Sequence, residues 1–207
     1  MKSVSLIYRH IWLYQGLMNI LYGFGYKKRF EQVIRVIAHH KPKSVLELCF
    51  GDVFMARYCT SHHIQWQGID TNEYFVRRAI AKGFDAHCAD LLDSSGLDKA
   101  EMLIIIGSLY HFQKDIHSLL SRMVSASQKI IISEPINNLS DQTNCLGWIA
   151  RKSTNAGNGE ESFRYTNSSL LEMLAEESRT LHFTFQVVGY YKRDCLVLIE
   201  RIQPLKG

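Results

Sequence analysis

The chain has 207 residues, 46% of them hydrophobic and 21% charged, which excludes a disordered chain and suits one globular domain with a real core. Its five cysteines (Cys49, Cys59, Cys88, Cys145, Cys195) are odd in number and contain no C-x-x-C pair, which argues for a reduced, cytoplasmic setting rather than a disulfide scaffold. The net charge of +4 is uneven: residues 1–43 carry eight Lys or Arg against Glu31 alone (+7), while the remainder holds 16 against 19 (−3). Such a basic stretch reads first as a solvated helix face, and otherwise as contact with an acidic substrate, a phosphorylated surface or nucleic acid.

Residues 5–24 are rich in aromatic and aliphatic side chains, but Arg9, His10, Gln15 and Asn19 interrupt them. That argues against a bilayer span, and no small-residue cleavage site follows to make a signal peptide. Leu6, Ile11, Leu13, Tyr14, Leu17, Met18 and Leu21 recur at roughly helical spacing. The reading is an amphipathic helix that packs as a lid, with peripheral membrane contact as the alternative. A second helix over 27–40 places Phe30, Val33, Ile34 and Ile37 on one side, and Pro42 ends it.

Strands and helices then alternate. Strands are predicted at 44–49, 66–70, 84–90, 102–108 and 129–135. Helices fall between them at 53–62 (Asp52 as N-cap), 73–83 (stopped by Gly83) and 113–126. Apolar strands in βαβ alternation mean a parallel sheet covered on both faces. Residues 136–162 are polar and irregular, a long loop of the kind that binds ligands or closes over them. A helix follows at 167–177, capped by Thr166 or Asn167, and runs 181–191 and 195–202 pair as an antiparallel hairpin.

Chemistry-bearing residues cluster where the strands end. ELCFGDV (47–53) is a strand-to-helix turn with one glycine, Gly51. Asp70 ends the second strand 19 residues after Gly51, the spacing at which nucleotide folds place an acid on ribose hydroxyls; capping the next helix is the alternative. Asp90 lies 20 residues further on, either at a ligand or as a turn cap. IGSLYHF (106–112) and SEPINN (133–138) end the fourth and fifth strands, on the edge where open α/β sheets bind ligands.

These spaced motifs, over roughly residues 43–202, resemble the class I S-adenosylmethionine (SAM) dependent methyltransferases, and SLYHF, ISEPINNLS and FRYT look like uncharacterised bacterial methyltransferase-domain proteins. The resemblance implies an α/β, doubly wound, seven-stranded, mostly parallel sheet with a C-terminal antiparallel hairpin. It divides the chain into a helical N-terminal cap (1–42) and a SAM-binding domain (43–207). The family's acid-x-G-x-G-x-G turn is met by Glu47 and Gly51, with Cys49 and Val53 at the other two glycine positions. Cofactor-binding residues carried over are Glu47, Cys49, Gly51, Asp70, Thr71, Asp90, Leu91, Gly107 and Ser108. His111, Tyr110 and Glu134 are the candidate catalytic residues, His111 as a general base or as a structural histidine beneath the cofactor. Tyr22, Tyr26, Asn137, Arg164 and Tyr165 are the candidate acceptor-binding residues, with Tyr8, Trp12, Tyr14 and Phe24 as further pocket lining.

The implied reaction moves a methyl group from SAM to an oxygen or nitrogen of a small-molecule acceptor, with an anionic one as the case that Arg164 would suit, and leaves S-adenosylhomocysteine (SAH). The alternative is a non-catalytic SAM-fold partner subunit whose cofactor loop has decayed. An NAD enzyme lacks its G-x-G-x-x-G here, and a base-methylating enzyme lacks its Pro-Pro-aromatic motif after the fourth strand, which disfavours nucleic acid. The adjacent pairs His39-His40 and His62-His63 point to different faces of a helix, so no metal is expected.

Overall fold

The computed structural model describes residues 12, 15, 16, 19, 20, 25–93, 96–136 and 163–202. Five parallel strands come first: β1 (Ser44–Leu48), β2 (Gln65–Asp70), β3 (Asp85–Cys88), β4 (Ala100–Ile106) and β5 (Ser127–Pro135). The hairpin strands β6 (Phe183–Tyr191) and β7 (Asp194–Arg201) complete one seven-stranded sheet of order β3-β2-β1-β4-β5-β7-β6. β1 and β4 are neighbours, so the chain winds outward to β3 and then returns on the far side of β1. Open α/β sheets bind their ligands at such a reversal, here the carboxyl ends of β1 and β4.

One face of the sheet is covered by α1 (Tyr26–His40), α2 (Phe54–Ser61) and α3 (Glu73–Ile80). The other is covered by α4 (Ile116–Ala126) and α5 (Asn167–Leu181). In β4, Met102 and Ile104 join the first core while Leu103 and Ile105 join the second. Burial on both faces is why that strand is apolar without interruption.

Several expected boundaries move, each for a local reason. Asp52 does not cap α2: the N-cap is Val53, with no side-chain cap bond, and Asp52 accepts from Gln15 Nε2 at 2.6 Å instead. α3 is capped by Asn72, whose side chain accepts the Tyr74 N–H at 3.0 Å, and it ends at Ile80 before a turn through Gly83 (φ +80°). β3 stops at Cys88, so Asp90 lies in the following loop. The segment expected as one helix over 113–126 is a 3-10 helix, Leu109–Asp115, followed by α4. Thr166 caps α5 through a reciprocal box with Ser169. The hairpin turn is only Lys192-Arg193, with Lys192 in the left-handed region that two-residue turns favour.

α1 is a layer of the fold. Tyr26, Phe30, Val33 and Ile37 are buried in one cluster with Val45, Ile104, Ile131 and Leu198 of the sheet. Ahead of it, Trp12, Gln15, Gly16, Asn19 and Ile20 are helical, and Gln15 ties that stretch to the loop after Gly51. Among the described residues no helix is long and apolar enough to cross a membrane.

Candidate functional site

The site is built from four strand ends. After β1 the chain turns through Cys49 and Gly51, both left-handed (φ +54° and +51°). Cys49 thus adopts at a non-glycine position the conformation that a glycine adopts freely. Its N–H donates to the Ile69 carbonyl at 2.7 Å, and its thiol packs against the core, where burial pushes its pKa well up, with Asp70 the next contributor. Val53, at the third glycine position of the resembled motif, is 1% exposed and points into the core.

Asp70 is the junction of the site. Its Oδ2 accepts the Gly51 N–H at 3.0 Å and its Oδ1 accepts the Asn72 N–H at 2.8 Å. The carboxylate therefore fastens the β1 turn to the β2 turn. Burial pushes its pKa up, and the Asn72 and Gly51 donors, with nearby His111, pull it back. Each carboxylate oxygen can accept a second bond. Thr71 is exposed in the same turn.

Glu47 lies elsewhere. It is 1% exposed and accepts the Trp66 indole N–H at 2.8 Å, with burial holding its pKa well above the carboxylate range. It faces the α1–α3 core alongside Val45, and so supports the strand from inside where cofactor contact was expected. Its partner strand carries Gly68 opposite it, where a Cβ would collide with the Trp66 ring. Asp90 is exposed and accepts the Leu92 N–H at 2.9 Å, so in this structure it caps its turn; the Leu91 side chain is core.

At the end of β4, Gly107 is left-handed (φ +69°) and its N–H donates to the Ser133 carbonyl at 2.7 Å. Ser108 precedes the 3-10 helix and its carbonyl accepts the His111 N–H at 3.2 Å. Glu134 is fully buried, and its two carboxylate oxygens accept the N–H groups of Leu109 and Tyr110 at 3.0 and 3.2 Å. Burial raises its pKa to about 8 despite those donors. The expected candidate base is thus an anchor beneath the SLYHF turn, out of reach of an acceptor.

His111 is half-buried, its ring centroid 3.9 Å from that of Tyr110. Arg164 lays its guanidinium over the other partner of that stack, with Cζ 3.6 Å from the Tyr110 centroid, and donates to the Phe163 carbonyl at 2.6 Å. Tyr165 is 3% exposed against Phe163, and its hydroxyl has no hydrogen-bond partner among the described residues. Burial pushes its pKa up, with Glu134 contributing. Of the expected acceptor-binding residues, Tyr26 is core and Tyr165 is buried beside the sheet, while Arg164 is half-buried against Tyr110. Tyr22 and Asn137 lie outside the described residues, as do Tyr8, Tyr14 and Phe24. Trp12 is 67% exposed.

Sequence reasoning missed Asn72 as a cap, Gln15 as the link to Asp52, and Arg29. Arg29 is 3% exposed and pairs with Asp194 at 2.9 Å. Its spacing from Tyr26, Val33 and Ile37 puts it on the buried stripe, and that periodicity was the available signal.

No family model and no curated sequence matches the chain. Solved structures match it in shape. The plantazolicin methyltransferase BamL, in complex with a triazolic desmethylPZN analog and SAH, superposes with a TM-score of 0.68 at 13% identity, over 90% of this chain and 89% of that one. The methyltransferase domain of bacterial CtHen1-C gives 0.66 at 12% identity, over 84% of this chain and 97% of that one. Magnesium protoporphyrin IX methyltransferase (ChlM) from Synechocystis PCC 6803 with bound SAH gives 0.65 at 14% identity, over 97% and 89%. The chain has the class I methyltransferase fold. The mostly parallel seven-stranded sheet with its C-terminal antiparallel hairpin, covered by helices on both faces, is what the motifs and their resemblance implied; the placing of β7 antiparallel between β5 and β6 comes from the structure.

Proposed function

We propose that the chain is a SAM-dependent methyltransferase that methylates an oxygen or nitrogen of a small-molecule acceptor. The observation that carries the proposal is Asp70: a buried carboxylate at the switch-point edge of the sheet, fastened to the Gly51 turn, with hydrogen-bonding capacity left for a ribose diol. The SAH held by structural neighbours BamL and ChlM supports the choice of nucleoside.

When bound, the cofactor supplies an electrophilic sulfonium methyl with its leaving group already attached. The chain's own residues then need to hold, orient and dry the reactants. Asp70 would hold the ribose, and the backbone of Gly51 and of Gly107-Ser108 would hold the rest. Thr71 and the loop bearing Asp90 and Leu91 would hold the adenine. His111, beside Asp70 and stacked on Tyr110, takes the proton from the acceptor. Arg164, on the outer side of Tyr110, offers a cation to an acceptor that carries negative charge.

Calorimetric titration with SAH tests the proposal. Saturable binding in the micromolar range is expected. No heat of binding at millimolar SAH overturns it and leaves a scaffold that works as a partner subunit.

A further inference from the structure

The end of β4 leans on a residue from outside the parallel sheet. A Cβ added at Gly107 would stand 2.6 Å from Arg29 Nη2 and 3.2 Å from Nη1. The Arg29 guanidinium therefore fills the space that a side chain at 107 would take. Arg29 Nε pairs with Asp194 Oδ2 at 2.9 Å, and the two side chains are 3% and 2% exposed. Asp194 opens β7 and is paired in register with Pro135, next to Glu134. Glu134 in turn holds the N–H groups of Leu109 and Tyr110. Three ionisable side chains from α1, β5 and β7 thus converge below one five-residue turn, Gly107 to His111.

We infer that Arg29 is a positioning residue: locked to Asp194, its guanidinium is the rigid underside of the Gly107–His111 turn and sets where Ser108 and His111 stand. The inference rests on the methyltransferase reading only for its ligand readout. A planar guanidinium held by an ion pair in the interior is far stiffer than the lysine that would conserve its charge. The left-handed Gly107 has no side chain of its own with which to resist displacement. Removing either member of the pair leaves a buried charge uncompensated, so the pair is kept together or lost together. The basic stretch Lys27-Lys28-Arg29 is accordingly divided in function: Lys27 and Lys28 are exposed and Arg29 is interior.

The test uses Arg29→Lys in the full chain, below its own unfolding temperature. SAH affinity is expected to fall about tenfold or more, the loss that follows when one hydrogen bond to the ligand is misplaced. In the ligand-free protein the His111 ring resonances, assigned by comparison with His111→Gln, are expected to shift. Wild-type SAH affinity together with unmoved His111 resonances overturns the inference, even if thermal stability drops. Should Arg29→Lys fail to fold, Gly107→Ala presses a methyl group on the guanidinium from the other side. The same two changes are expected there, and wild-type values overturn the inference. If the unmodified protein binds no SAH, the methyltransferase reading fails, and the His111 resonances alone decide this one.

Discussion

Asp70 accepts N–H groups from Gly51 and Asn72 while almost wholly withdrawn from water. Removing that carboxylate strands the buried Gly51 donor and the half-buried Asn72 donor, and a buried donor left unpaired costs about 1–3 kcal/mol. Asp70→Ala is therefore expected to lower unfolding free energy by about 2 kcal/mol or more and to weaken SAH binding at least about tenfold. Denaturant unfolding and calorimetry measure the two effects separately. Glu134 makes a second prediction at this scale. Burial lifts its pKa from an ordinary 4.5 to about 8, so the folded state holds its proton more tightly than the unfolded chain. Its favourable contribution is complete below about pH 4.5 and is lost as pH rises through about 8. Glu134→Gln does not titrate. The stability advantage of the wild type over this variant should shrink steadily across that window, as read by thermal unfolding at several pH values. A difference independent of pH would remove the shifted carboxyl.

Elements owe their limits to single side chains. α5 starts at Asn167 because Thr166 and Ser169 exchange hydrogen bonds across its first turn. Thr166→Ala is expected to cost about 1 kcal/mol by denaturant unfolding and to leave SAH affinity unchanged. The β1 turn shows how a sparse motif can still form its shape. Its first glycine position is held by Cys49 at φ +54°, with a backbone bond to Ile69 that stabilises the left-handed residue. The third is held by Val53, which the start of α2 carries into the core. Counting glycines therefore understates the turn. What was legible in sequence was its strand, its acid and Gly51. Which way Glu47 faces was not legible, because strand alternation allows either face until the helices are placed. The same holds for Glu134: its position at a strand end was readable, but its two N–H donors come from a turn 24 and 25 residues away in sequence.

For the molecule as a whole, α1 decides the question of a detachable cap. Its buried stripe forms part of the core that lines the α1–α3 face, and Arg29 reaches through to Asp194 at the opposite end of the chain. A variant lacking residues 1–42 is expected to lose cooperative thermal unfolding, measured by circular dichroism. A cooperative transition in that variant would mean that the sheet folds without this layer.

The sequence by itself determined the element order, the five-strand alternation, the closing hairpin and the acid at the end of β2. Those follow from local periodicity, from turn chemistry and from fixed spacing along the chain. Only the tertiary structure decided which carboxylates face the crevice and which hold the interior. Asp70, Glu47, Glu134 and Asp194 carry the same carboxyl group. They part company because their partners, the Gly51 N–H, the Trp66 indole, the Leu109 and Tyr110 amides and the Arg29 guanidinium, are brought to them by other strands and helices. Burial of a charge is tolerated only where such partners arrive, and their arrival is a property of the packed sheet.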